Sequence, residues 1–250
     1  MCCYQLGRFE SFARILINKY SRRRVEFLAF VVLILDVKMR RTWRDRDRDF
    51  LKFLEDGETN HEELYAVLLN TKTDFKPIPG IDLDRDETEY YQLQQTLDCN
   101  LVYPGIFVGD EGAARSKWYL KTIGITHVLN AAEGKHFGYV HTNEKYYEDT
   151  NIKYLGLPLA DVPSVDISKY FYTSADFIED ALKNGGNVLV HCKMGISRSA
   201  TCVLAYLMIK KNMLAVDAIR TVRINRDIRP NYGFLRQLAG LDNYLRRQRL

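Results

Sequence analysis

Long apolar runs are missing from this chain of 250 residues. The longest, Phe27 to Leu35, holds nine residues, whereas a membrane-spanning helix needs about 18 or more, so stable membrane insertion is not expected. Arg22-Arg23-Arg24 precedes that run as in a secretory leader, yet no small-residue cleavage site follows it, only Leu35-Asp36-Val37-Lys38. Residue 2 is not glycine, which removes N-myristoylation; Cys2 and Cys3 stay chemically open to palmitate, and Met39 stays open as an alternative start. Cysteine is scarce as well. The five residues Cys2, Cys3, Cys99, Cys192 and Cys202 form an odd set with no Cys-x-x-Cys and no zinc-ligand spacing, which excludes a disulfide framework and a zinc module. No metal and no cofactor are therefore expected. There is no internal repeat.

Excess positive charge is missing from most of the chain. The net charge is +4, but residues 1–48 carry twelve Lys/Arg against five Asp/Glu, a net of +7 that leaves −3 for residues 49–250. A mildly acidic body is a poor nucleic-acid binder, so no such partner is expected. What is present in quantity is core material: 46% hydrophobic and 12% aromatic residues, enough for one packed domain with an appendage.

Three regions follow from the pattern. Residues 1–55 read as a basic leader, poorly ordered or weakly docked, with strictly alternating charge from Arg44 to Asp49. Residues 56–98 read as a short helix over 60–69, opened by the capping pattern Thr59-Asn60-His61-Glu62, followed by a loop with two prolines and an acidic run at 82–89. Residues 99–250 form the main domain. There, Ile106-Val108, Ile125-Asn130, Tyr154-Pro158 and Val188-His191 read as strands; Ser116-Ile123, Ser168-Lys183, Arg198-Lys211, Val216-Asn225 and Asn231-Arg247 read as helices. Alternation of this kind around continuous apolar strands predicts an α/β fold, a mostly parallel central sheet flanked by helices.

The chemistry concentrates in His191-Cys192-Lys193-Met194-Gly195-Ile196-Ser197-Arg198-Ser199. A strand leads in and a helix leads out, with a cysteine and an arginine flanking five residues. Backbone N–H groups of Lys193, Met194, Gly195, Ile196, Ser197 and Arg198 can turn inward on one tetrahedral oxyanion, helped by the free N–H groups and partial positive charge of the following helix. Arg198 adds a planar fork for two oxygens at once. Cys192 lies at the floor of that nest, where its thiolate is favoured. Such a loop is built to take a phosphoryl group onto sulfur. His191 is assigned to hydrogen-bonding the loop. The leaving oxygen needs a proton, and Asp161, just after the strand ending at Pro158, is placed to give it at a carboxyl-terminal strand edge. Asp166 competes for that role but stands before Ser168 and a helix, where it reads as a cap. Cys202 reads as a small buried apolar residue, with a resolving thiol as the alternative.

The loop, together with Tyr103-Pro104-Gly105-Ile106-Phe107-Val108-Gly109, the stretch from Gly124 to Gly134, Ala205-Tyr206-Leu207-Met208, Asn225-Arg226 and the stretch from Pro230 to Leu235, resembles the cysteine-dependent protein phosphatases, and within them the atypical (VHR-like) dual-specificity group. The resemblance runs over roughly residues 60–250. It implies the phosphotyrosine-phosphatase-like fold, a phosphocysteine intermediate, Asp161 at the family's general-acid position about 30 residues before the cysteine, Ser199 donating to the sulfur, and Arg226 as a second anion-binding arginine, the alternative for Arg226 being a solvated helix end. The implied substrates are phosphotyrosine and phosphoserine/phosphothreonine proteins, MAP kinases among them, in cytoplasm or nucleus, where a thiolate stays reduced. Only Lys193 is basic between Cys192 and Arg198, which argues against lipid or RNA phosphates. Presence of cysteine, arginine and acid together argues against a phosphoprotein-binding module that does not turn over; a phosphoprotein-binding scaffold with incidental turnover stays open as the alternative.

Overall fold

The structure is a computed structural model that describes residues 57–74, 76–81 and 95–249. The expectations for residues 1–55 and for the acidic run at 82–89 lie outside the described residues. Residues 59–250 form one compact unit, so the division drawn at 98/99 falls inside a single body.

In chain order the elements are α1 (His61–Asn70), β1 (Cys99–Tyr103), β2 (Ile106–Gly109), α2 (Glu111–Arg115), α3 (Lys117–Thr122), β3 (Ile125–Asn130), β4 (Lys153–Gly156), α4 (Phe171–Lys183), β5 (Asn187–His191), α5 (Arg198–Lys210), α6 (Ala215–Arg223) and α7 (Tyr232–Arg249). The sheet runs β1-β2-β5-β3-β4. β1 and β2 are an antiparallel hairpin, and the three remaining pairs are parallel. Strand β1 was not expected: it is a partly exposed edge strand with Asn100 in it, and its hairpin turns on Gly105 at φ +74°. Two short helices stand here in turn: α2, which was not expected, and α3, which matches the helix expected over Ser116–Ile123. Asp110 caps the first through the Ala113 amide at 2.8 Å, and Ser116 breaks the run and caps the second through the Tyr119 amide at 3.3 Å.

Side-chain alternation divides the sheet into two faces. Phe107, Leu189 and Val128, aligned in register, pack with Tyr119, Leu120 and Tyr147 under α2 and α3. The opposite face carries α4 and α5. Helix α5 is buried on all sides from Arg198 to Met208, the pattern of a helix enclosed by neighbours. Helix α1 packs against α6 and α7. Its cap is Asn60, which accepts from the Glu63 amide at 2.9 Å. Thr59, read from sequence as part of that cap, instead donates to Asp242 at 2.7 Å, while its backbone N–H donates to Asn243 at 2.8 Å. Asp242 also accepts from the Ala215 amide at the start of α6, at 2.8 Å, so one buried network joins three helices.

One row of the sheet prepares the site. Gly109, His191, Asn130 and Gly156 stand side by side at the carboxyl ends of β2, β5, β3 and β4. The four segments that follow leave the sheet at the same edge, where parallel α/β sheets gather their functional groups.

Candidate active site

The loop from Cys192 to Ser197 leaves β5 and enters α5. Each of its backbone carbonyls has a partner outside the loop's concave side. Cys192 O faces His191 Nδ1 at 3.2 Å, Lys193 O accepts from the Glu111 amide at 3.2 Å and Ile196 O from the Arg229 amide at 2.8 Å. Met194 O and Gly195 O accept from Arg226 at 3.1 and 2.7 Å, and Ser197 O from the Thr201 amide at 2.9 Å. With the carbonyls engaged elsewhere, the amides are left for an anion. Gly195 is required at the turn: its φ is +68°, and an added Cβ would stand 2.4 Å from Gly109 O and 2.6 Å from Arg226 Nη2.

Cys192 lies at the loop floor, 1% exposed. Its Sγ accepts from the Gly195 amide at 3.2 Å and from the Ser199 hydroxyl at 3.4 Å. Burial alone would push the thiol up, but the Ser199 hydroxyl and amide, the Arg198 charge and the Ile196 amide together bring it below the ordinary thiol value. The other two described cysteines are free and buried, and burial pushes both Cys99 and Cys202 up to about 12. Cys202 has no thiolate character to attack with. Burial lowers His191 to about 4, so it is a neutral imidazole whose Nδ1–H serves the Cys192 carbonyl, and its Nε2 has no hydrogen-bond partner.

Arg198 opens α5 and is buried. Its Nη1 donates to Gly138 O at 2.9 Å and Leu159 O at 3.1 Å, so loops after β3 and β4 fix the guanidinium plane. Its Nε is 3.5 Å from Asp161 Oδ2, close enough for an ion pair but outside hydrogen-bond geometry, and is a buried donor without an acceptor. A phosphoryl oxygen is the natural acceptor there.

Asp161 reaches the site from the segment after β4. Its Oδ1 accepts from Ser197 Oγ at 2.7 Å and from Asn231 Nδ2 at 2.9 Å. Asp166 does not join it. It accepts from the Ser168 hydroxyl at 2.5 Å and the Ser168 amide at 3.0 Å, just ahead of a short 3-10 turn over Ser168–Tyr170 whose N-cap residue is Ile167; that hydroxyl holds its carboxyl below the usual range. Lys193 pairs with Glu111, while Met194 is 63% exposed at the rim beside the half-buried Ile196.

Arg226 corrects a sequence expectation. It is neither a solvated helix end nor an anion-binding residue, because it is buried and every donor is committed. Besides the two loop carbonyls, Nη1 donates to Asp98 Oδ1 at 2.9 Å and Asn100 Oδ1 at 2.7 Å, and Nη2 to Asp98 Oδ2 at 2.7 Å. A cavity of roughly 430 Å³ opens on this side, between Asp98, Asn100, Arg226 and Asp227; none of residues 192–198 lines it, so it is not the phosphate site. Sequence reasoning missed Asn231, which caps α7 through the Phe234 amide at 3.1 Å while steering Asp161. It also missed Gly138, Glu111, Asp98 and Asn100. Only Asn231 carried a readable signal, as a capping residue after Pro230.

The family described as "Dual specificity phosphatase, catalytic domain" matches residues 106–243. A mouse protein, dual specificity protein phosphatase 13B, is 53% identical over 150 residues, 60% of this chain and 75% of its own length. Among solved structures, human DUSP28 is 28% identical with a TM-score of 0.52, covering 59% of this chain and 95% of its own. A mouse putative dual specificity phosphatase complexed with zinc tungstate is 29% identical with a TM-score of 0.53, covering 60% and 90%. With the phosphate-shaped loop, its buried thiol and this family match agreeing, the chain belongs to the dual specificity phosphatases.

Proposed function

We propose that the protein removes phosphate from phosphotyrosine and phosphoserine/phosphothreonine in proteins through a phosphocysteine intermediate on Cys192. The observation that carries this reading is the pair formed by a thiol held below its ordinary value and an arginine donor left without an acceptor beside it. The phosphoryl group settles on the loop amides and on Arg198, whose Nε turns from Asp161 to the incoming oxygens. Cys192 Sγ attacks phosphorus as the bond to the substrate oxygen breaks, and Asp161 gives that oxygen its proton. Water then attacks the phosphocysteine, Asp161 takes a proton from it, and the sulfur leaves as a thiolate stabilised by Ser199.

The tungstate in the mouse relative's structure supports the reading by analogy, since tungstate is a tetrahedral oxyanion like phosphate. MAP kinases are included among the proposed substrates and cytoplasm or nucleus as the setting, because the thiolate needs reducing conditions.

Mass spectrometry of quenched turnover tests the intermediate. Ser199→Ala should accumulate chain carrying one phosphoryl group on Cys192, and Cys192→Ser should carry none and hydrolyse p-nitrophenyl phosphate at no more than a few per cent of the wild-type rate. Retained activity in Cys192→Ser, or activity abolished by EDTA, overturns the mechanism.

A further inference from the structure

Two adjacent peptide units connect Arg226 to Cys192. Met194 O accepts from Arg226 Nη2 at 3.1 Å, and the amide of the same unit, Gly195 N, donates to Cys192 Sγ at 3.2 Å. Gly195 O accepts from Arg226 Nε at 2.7 Å, and the amide of that unit, Ile196 N, also serves the sulfur. No cis peptide bond occurs among the described residues, and a planar trans peptide points its N–H and C=O in opposite directions. Fixing a carbonyl on one side of the loop therefore fixes the amide on the other.

We propose that Arg226 is a positioning residue for the nucleophile: it grips the carbonyls of Met194 and Gly195 from behind the loop and so aims the amides of Gly195 and Ile196 at Cys192 Sγ. This rests on Cys192 being the nucleophile. The fork geometry explains why the residue is an arginine. Nε and Nη2 reach two successive carbonyls, while Nη1 and Nη2 lock onto both carboxylate oxygens of Asp98, with Asn100 closing the last donor. A lysine has one point charge and cannot hold two carbonyls and a carboxylate in a plane. The cation also polarises the two peptides along their dipoles, making each amide a stronger donor to the sulfur. Gly195 belongs to the same device, since any side chain there would collide with Arg226 Nη2. Asp98 is 62% exposed, so the outer end of the clamp lies at the surface while the inner end touches the catalytic loop.

The test is the pH dependence of Cys192 alkylation by iodoacetamide in the full chain, read by mass spectrometry, alongside melting temperature. Alkylation needs no turnover, so it reports on the clamp even if the proposed phosphocysteine chemistry fails. Arg226→Lys keeps the charge and loses the fork. The alkylation midpoint should rise by one pH unit or more, a tenfold loss of thiolate below the midpoint, and the acid limb of kcat/KM should move with it. Asp98→Asn should raise the midpoint too, by a smaller amount. Its sign is decisive, because removing a nearby negative charge without disturbing the clamp lowers a thiol's midpoint. A folded Arg226→Lys protein with an unmoved midpoint overturns the proposal, as does weaker vanadate inhibition at an unmoved midpoint, the signature of direct anion binding. If Arg226→Lys does not fold, a lowered or unmoved midpoint in Asp98→Asn overturns it on its own.

Discussion

Replacing Asp161 by asparagine separates proton donation from everything else this residue does. Asparagine retains an Oδ1 acceptor, so the bonds from Ser197 Oγ at 2.7 Å and Asn231 Nδ2 at 2.9 Å survive, and the segment should keep its place. What disappears is the charge 3.5 Å from Arg198 Nε. That charge competes with the phosphoryl group for the arginine, so substrate binding should hold or tighten and the loss should fall on kcat. A positioned acid contributes about 10²–10⁴, or about 3–5 kcal/mol of barrier, when the leaving oxygen is strongly basic. Phosphotyrosine and phosphothreonine peptides should show that full loss. An aryl phosphate whose leaving group is far more acidic than tyrosine hardly needs a proton and should lose about tenfold or less. The assay is the slope of log kcat against leaving-group pKa for wild type, Asp161→Asn and Asp166→Asn. The slope should steepen in Asp161→Asn alone. Equal loss on all esters, or a steeper slope in Asp166→Asn, refutes the assignment.

Arg198→Lys retains a charge but not the fork that reaches Gly138 O and Leu159 O while leaving Nε for phosphate, and turnover of p-nitrophenyl phosphate should fall by about 10² or more; near-wild-type turnover means that the arginine does not clamp the transferring group. Peroxide should oxidise Cys192 before Cys99 or Cys202, both pushed up to about 12 by burial, with phosphate or vanadate protecting it, and peptide mapping that finds either of the other two modified first contradicts the thiolate environment. His191 is held at about 4 by burial against an ordinary 6.5, so the unfolded chain takes up that proton first. Its contribution to stability is present above pH 6.5 and lost as the pH falls toward 4, by about 3 kcal/mol in all. Denaturation midpoints of wild type and His191→Asn over that range should converge as the pH drops, and parallel curves would rule this out.

The parts of the molecule legible in the sequence are those whose signal is local. The apolar run Val188-Leu189-Val190 before His191 and the helical pattern after Arg198 marked β5 and α5, and the glycine at 195 marked the turn between them. Asp161 was legible because a strand end is a position as well as a residue type. Asp166 was separated from it by its distance of two residues from Ser168, the spacing of a cap. Strand β1 was not legible, since Cys99, Asn100 and Leu101 show no clean alternation and an edge strand needs none. Nor were the supports of the loop. Glu111, Gly138, Arg226 and Asp98 are far apart in the chain and near the loop only through the sheet order, and the pattern around each reads as surface. Arg226 was misread for that reason: its type suggested an anion, while its surroundings, a carboxylate and two carbonyls already in place, leave it none to bind.

Three buried cysteines in one fold show how far the nucleophile depends on those supports. Cys99 and Cys202 are as inaccessible as Cys192, and in each of the three burial is the largest influence, acting against the thiolate. Position on a strand or a helix does not rescue the first two. Cys202 lies within α5, and its backbone neighbours are spent on the helix. Cys192 differs because its loop is too tight to pair its own amides and carbonyls internally. The carbonyls go to partners from α2, from Arg226 and Arg229 and from α5 itself, and the amides are left converging on one sulfur. A reactive thiolate here is thus the by-product of satisfying every carbonyl of a six-residue loop from outside it, which is why residues more than ninety positions away in the chain, such as Asp98, bear on its chemistry.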